Sequence, residues 1–181
     1  TMDALPEQRI IGPAEDIERV VGLARALLQP ERFDTLNQVT ETIVPVTPGA
    51  AIETGELRIT TAAVQHQVQG LAYRIHDTRT GAQIGFSGDT AYIPELEQHF
   101  RGVDVLVHEA SHGSNDPQPG PEQGHSSARQ AAAIASGAGA GRLYIVHAPQ
   151  TDAEAVLAAA REVFPNTFWP QPGETVEVGE G

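Results

Sequence analysis

Apolar and polar positions along the chain mark out most of its elements. Arg-Ile-Ile-Gly-Pro at residues 9–13 reads as a short buried strand closed by a Gly-Pro turn. Over residues 14–28, Ile17, Val20, Val21, Leu23, Ala24, Leu27 and Leu28 follow helical spacing, and Pro30 supplies a stop. Strands are expected at 41–46, 55–63 and 70–76, separated by turn residues. Asp-Thr-Arg-Thr-Gly at 77–81 reads as a tight hairpin loop leading into a strand over 82–87. A short helix suits 95–100. Residues 103–108 are strongly apolar with little alternation, as a strand covered on both faces would be. The polar, Pro- and Gly-rich stretch 111–124 reads as a loop of the kind that borders sites.

The Ala-rich stretch 126–138 predicts a helix ended near residues 139–141. Residues 143–146 predict a further buried strand, and 152–164 a helix capped by Thr151 or Asp152. Residues 175–178 predict a closing strand. Strands first, then strand–helix alternation, indicate a mixed α/β layered domain. A chain of 181 residues suffices for one such domain with a sizeable core.

Charge narrows the function classes. The chain has 24 acidic residues against 11 basic ones, a formal net charge of -13, and every basic residue is Arg. Such a surface repels phosphate backbones unless a basic patch or metal ions reverse the field. A nucleic acid is therefore disfavoured as a high-affinity partner, whereas a small phosphoester is not. The absence of Cys excludes disulfides, thiolate metal sites and Cys nucleophiles, so any metal must be held by His and carboxylate. No apolar run approaches the roughly 20 residues that span a bilayer, and no signal-peptide pattern opens the chain. A soluble, cytoplasmic protein without membrane partners is expected.

Seven His residues are unevenly placed. His66, His125, His147 and Asp89 each follow a predicted strand or open a predicted helix, where polar side chains converge above a sheet edge. In Phe86-Ser87-Gly88-Asp89-Thr90 the Gly permits a sharp turn that points the carboxylate outward. That Asp is either a turn or cap residue or, with two oxygens, a bridge between two cations. His147 follows Leu143-Tyr144-Ile145-Val146, and His66 follows Ala62-Ala63-Val64-Gln65. Each is either an imidazole ligand or a His satisfied by a loop carbonyl. His125 opens Gly124-His125-Ser126-Ser127-Ala128. It is either a plain helix-start residue or an imidazole at a positive helix end, able to donate to a developing oxyanion. Glu109, in His108-Glu109-Ala110-Ser111-His112, either orients that imidazole or is an ordinary loop carboxylate.

Taken in order, these segments resemble the ribonuclease Z-like branch of the metallo-β-lactamase superfamily. They are Phe-Ser-Gly-Asp-Thr at 86–90, His-Glu-Ala at 108–110, Gly-His-Ser-Ser-Ala-Arg-Gln-Ala at 124–131, and the strand ending in His147. His66 followed by Gly70-Leu71-Ala72-Tyr73-Arg74-Ile75 fits that branch, as does Ile11-Gly12-Pro13 before a helix. The resemblance covers about residues 9–166. It implies an αββα sandwich with a metal site at one edge, residues 1–181 being the C-terminal two-thirds of a single domain whose first strands are missing from this chain. It also implies two zinc ions (Zn2+), with Mn2+ as a substitute: His66 on one, His147 on the other, Asp89 bridging. His125, backed by Glu109, would steady the transition state or leaving group. The implied reaction is hydrolysis of a phosphodiester or related ester without a covalent enzyme intermediate.

Two departures qualify that implication. The family's His-x-His-x-Asp-His motif is absent; it would precede Arg9, where only eight residues stand. It normally supplies most zinc ligands and the general base, and a catalytic zinc takes three protein ligands plus water. This chain alone is therefore expected to bind zinc weakly and to need an N-terminal portion, a completing chain or a second copy in a homodimer. The alternative is a non-catalytic interaction or scaffold module with a degenerate metal site. The second departure is the short hairpin after Tyr73-Arg74-Ile75, where members that process transfer RNA insert a long arm. With the acidic charge, it argues against transfer RNA and for a small-molecule ester or phosphodiester.

Overall fold

In the computed structural model, which describes residues 7–27, 40–118 and 124–179, the strand and the helix expected before Pro30 both form, although of the strand expected to be buried at 9–13 only Gly12 is buried. The chain divides into two units at Thr47–Pro48. In the first, β1 (Glu7–Pro13) and β2 (Thr40–Val46) pair in parallel, with Ile10 opposite Ile43 and Ile11 opposite Val44. Helix α1 (Ile17–Leu27) lies between them in sequence, as a parallel connection requires. Leu28 and the Pro30 stop lie outside the described residues.

The second unit holds a seven-stranded sheet in chain order: β3 (Ala51–Thr54), β4 (Leu57–Ala63), β5 (Leu71–Asp77), β6 (Gln83–Phe86), β7 (Val105–Glu109), β8 (Arg142–Val146) and β9 (Thr167–Phe168). Strands β3 to β6 are antiparallel neighbours joined by short connections. From β6 to β9 the pairing is parallel. Those crossovers carry α2 (Glu95–His99), α3 (Ala128–Ala138) and α4 (Ala153–Arg161). Parallel pairing carries functional weight, because it sends the C-terminal ends of β6, β7 and β8 to one edge.

Helix α3 begins with a capping box. Ser127 Oγ accepts from Gln130 N, and the Gln130 side chain accepts from Ser127 N. It ends at Gly139, left-handed at φ 64°. Its Ala131, Ile134 and Ala135 face Phe100, Leu106, Leu143 and Ile145 in a fully buried cluster. Each large side chain there contributes about 2 kcal/mol by leaving water.

Three expectations change. The strand expected over 55–63 forms as β4 from Leu57, and Gly55-Glu56 is the turn from an additional strand, β3, because Thr54 pairs with Leu57 across a two-residue loop. Residues 175–178 form no strand. The edge beside β8 is taken by Thr167–Phe168, the first extended residues after α4, with Thr167 opposite Leu143. Helix α4 is shorter than 152–164, and Asp152 stands at its N-cap without a side-chain capping bond. No helix among the described residues is long and apolar enough to cross a membrane.

Candidate functional site

The chain leaves β6 through Ser87-Gly88-Asp89-Thr90. Gly88 has φ 62°, and a Cβ there would stand 3.1 Å from Leu71 O, so this turn requires Gly. It sends Asp89 outward while Thr90 stays buried. Thr90 Oγ1 accepts from Gln65 N at 3.1 Å, and Ala91 N donates to Gln65 O at 2.9 Å. The loop after Asp89 is thereby fastened to the loop that carries His66.

Glu109 ends β7 and is 1% exposed. Its Oε1 accepts from Thr90 N and lies against His125 Nδ1, both at 2.9 Å, and its Oε2 accepts from Ser111 N at 2.8 Å. A buried carboxylate needs such donors to offset its lost hydration. Its contact fixes a tautomer for His125: Nδ1 carries the proton donated to Glu109, which leaves Nε2 for other chemistry.

His147 follows β8 one residue beyond Val146, which pairs with Glu109. Its backbone is left-handed at φ 47°, and among the described residues it is the only non-Gly residue with positive φ. This conformation costs an L-residue about 1–2 kcal/mol and collects at functional sites. Nδ1 of His147 lies 2.9 Å from Asp89 Oδ1, and Ser111 Oγ donates to His147 O at 3.2 Å. Both His147 and Asp89 are well exposed, so the pair by itself adds little stability.

Ring centroids of His125 stand 4.8 Å from His66 and 5.7 Å from His147. Potential ligand atoms of His66, Asp89 and His125 lie within 4.8 Å of one another, as do those of Glu109, His125 and His147. All five residues singled out in the sequence thus meet at one sheet edge. Imidazoles and carboxylates without thiolate suit zinc or manganese. Sequence reasoning missed Ser111, which anchors both Glu109 and His147, and His112, whose ring lies 6.3 Å from that of His125. Both stand in the same His-Glu-Ala-Ser-His string, whose two His residues are four apart and so do not match the His-x-His spacing. His108 lies beneath the site, fully buried, with Nδ1 2.8 Å from Glu109 O; burial pushes its pKa down and keeps it neutral.

The Beta-lactamase superfamily domain matches residues 11–148, and the chain belongs to that family. Its fold is the metallo-β-lactamase fold. The solved YhfI protein of Bacillus subtilis, of that fold, superposes with a TM-score of 0.71 at 23% identity, over 91% of this chain and 63% of that one. Human tRNase Z, short form, superposes at 0.60 with 18% identity, over 80% and 61%. Ribonuclease Z of Thermoplasma acidophilum is 40% identical over 106 residues, 55% of this chain and 34% of that protein. The match thus spans about a third of the length of that curated relative.

Proposed function

We propose that this chain carries part of the active site of a metal-dependent hydrolase acting on a phosphodiester or related ester. One observation carries the reading: Asp89 contacts His147 and shares a ligand cluster with His66, beside a His125 already fixed by a buried Glu109. His66, Asp89 and His147 would hold two divalent cations, zinc or manganese, with Asp89 between the imidazoles. Such ions supply Lewis-acid chemistry, making a water more acidic and offsetting charge on the ester.

The chain's own groups do the rest. Glu109 holds Nδ1 of His125, so the ring cannot turn away. Protonated on both nitrogens, His125 donates from Nε2 to the departing oxygen. Its place just before the capped start of α3 adds a positive helix end to that side. These residues would give each cation one imidazole and a share of Asp89, fewer than the three protein ligands of a catalytic zinc. The full-length protein, with any residues beyond these 181, is therefore the form to assay.

Kinship with proteins named Ribonuclease Z supports the phosphodiester class. The net charge of -13 and the short loop between β5 and β6 favour a small diester over transfer RNA. The test is turnover of bis-p-nitrophenyl phosphate by metal-stripped protein after zinc or manganese is restored. Metal-dependent turnover is expected, reduced by about 10²–10⁴-fold in His125→Ala. Absence of turnover with either metal would defeat the reading. Cleavage of a transfer-RNA precursor in preference to the small diester would replace its substrate.

A further inference from the structure

Beside His147 the sheet edge opens into a cavity of about 610 Å³, within the range of small-molecule sites. His147 belongs to both the cavity wall and the candidate metal cluster, and Ser111 in the same wall bonds to His147 and Glu109, so the two spaces adjoin. The outer wall is Trp169 with Pro149 and Pro170. Trp169 follows β9, the parallel neighbour of β8, so it leaves the sheet at the same edge as His147. Its indole is half-buried and packs against the core, which fixes it before any ligand arrives.

Among the described residues the lining contains no Asp, Glu or Arg. It therefore offers nothing to a phosphate by charge, and the chain's negative field opposes an anionic ligand at long range. What it offers is an aromatic face, two proline rings, and the polar tips of Gln150 and Ser111. That chemistry suits a flat, neutral, hydrogen-bonding group. We propose that this cavity seats a nucleobase, or an aromatic group of like shape, attached to the phosphodiester cleaved beside it. Trp169 is then the specificity residue of the site: stacking supplies the affinity that the charge of the chain denies. This proposal rests on the hydrolase reading above for its location, and its test does not need turnover.

Trp169 is the one Trp among the 181 residues, and it reports on its own cavity. The full-length protein is titrated with adenosine monophosphate, and separately with ribose 5-phosphate, which carries the same phosphate without the base. Wild-type fluorescence minus that of Trp169→Phe isolates the indole signal. Saturable quenching by the nucleotide alone is expected. By calorimetry, Trp169→Ala should weaken nucleotide binding about tenfold, while Trp169→Phe, which keeps a stacking face, retains most of it. Equal binding of the two phosphates, no binding of either, or an unchanged nucleotide affinity in a folded Trp169→Ala would each overturn the proposal. Should Trp169→Ala fail to fold, the wild-type comparison of the two phosphates decides. Diester turnover without base preference would sink this inference and leave the hydrolase reading intact; base-dependent quenching without turnover would do the reverse.

Discussion

His147 reaches Asp89 from a left-handed backbone: Nδ1 lies 2.9 Å from Oδ1 while φ is 47°. The two residues leave β8 and β6, two strands apart across β7, and meet over the end of Glu109's strand. Strain is kept where the imidazole is needed. Gly at this position would relieve it, so His147→Gly should raise unfolding stability by about 1 kcal/mol while removing activity. Denaturant melts and diester assays on the same preparation measure both, and a loss of stability would show that φ 47° is not strained.

Glu109 is expected to be the least replaceable carboxylate of the site. Gln in its place sets an amide hydrogen against the backbone donors Thr90 N or Ser111 N, or against His125 Nδ1–H. Glu109→Gln should cost about 1–3 kcal/mol of stability and lower kcat. Thermal unfolding together with steady-state kinetics checks it; full activity would remove Glu109 from the His125 pair.

Gly88→Ala tests the turn that aims Asp89. The added Cβ would meet the Leu71 carbonyl, which is backbone and cannot move aside cheaply, at a φ that an L-residue resists. A stability loss of about 1–2 kcal/mol is expected, with metal affinity reduced because Asp89 is displaced. Equal metal binding by variant and wild type would mean that Asp89 is not positioned by this turn.

Much of this site was legible in the sequence, and the reason is physical. His147 and Asp89 each follow an apolar strand, and parallel pairing takes the ends of β6 and β8 to one edge. Glu109 was identified through its neighbours, yet its burial and its backbone donors belong to tertiary structure. Trp169 was not identified, because the strand before it, β9, has two residues and no periodicity. The alternation at 175–178 gave a strand that does not form; Thr167 had already taken the partner edge of β8. Strand β3 was not expected: its four residues precede Gly55-Glu56, whose turn residues stand at the start of the strand expected over 55–63.

Acid should weaken the fold through His99. Burial, with Arg74 close by, pushes its pKa below the ordinary 6.5, and its Nε2 is buried without a partner. The unfolded chain takes up that proton near pH 6.5, whereas the folded chain resists it. The stability contributed by neutral His99 is therefore complete above about pH 6.5 and is lost as pH falls below that value towards the folded pKa. Unfolding midpoints for wild type and His99→Phe between pH 7.5 and 5 should show a shallower acid loss in the variant. Parallel curves would assign the acid sensitivity elsewhere.

The central claim is that Asp89 joins His66 and His147 into one metal-holding cluster. Metal content per chain of the full-length protein, wild type beside Asp89→Ala, tests it most directly. The account predicts roughly two zinc or manganese ions in wild type and a loss of at least one in the variant, together with loss of diester turnover. Wild-type protein that stays metal-free after zinc and manganese are supplied, or an Asp89→Ala variant with undiminished metal and turnover, would contradict it.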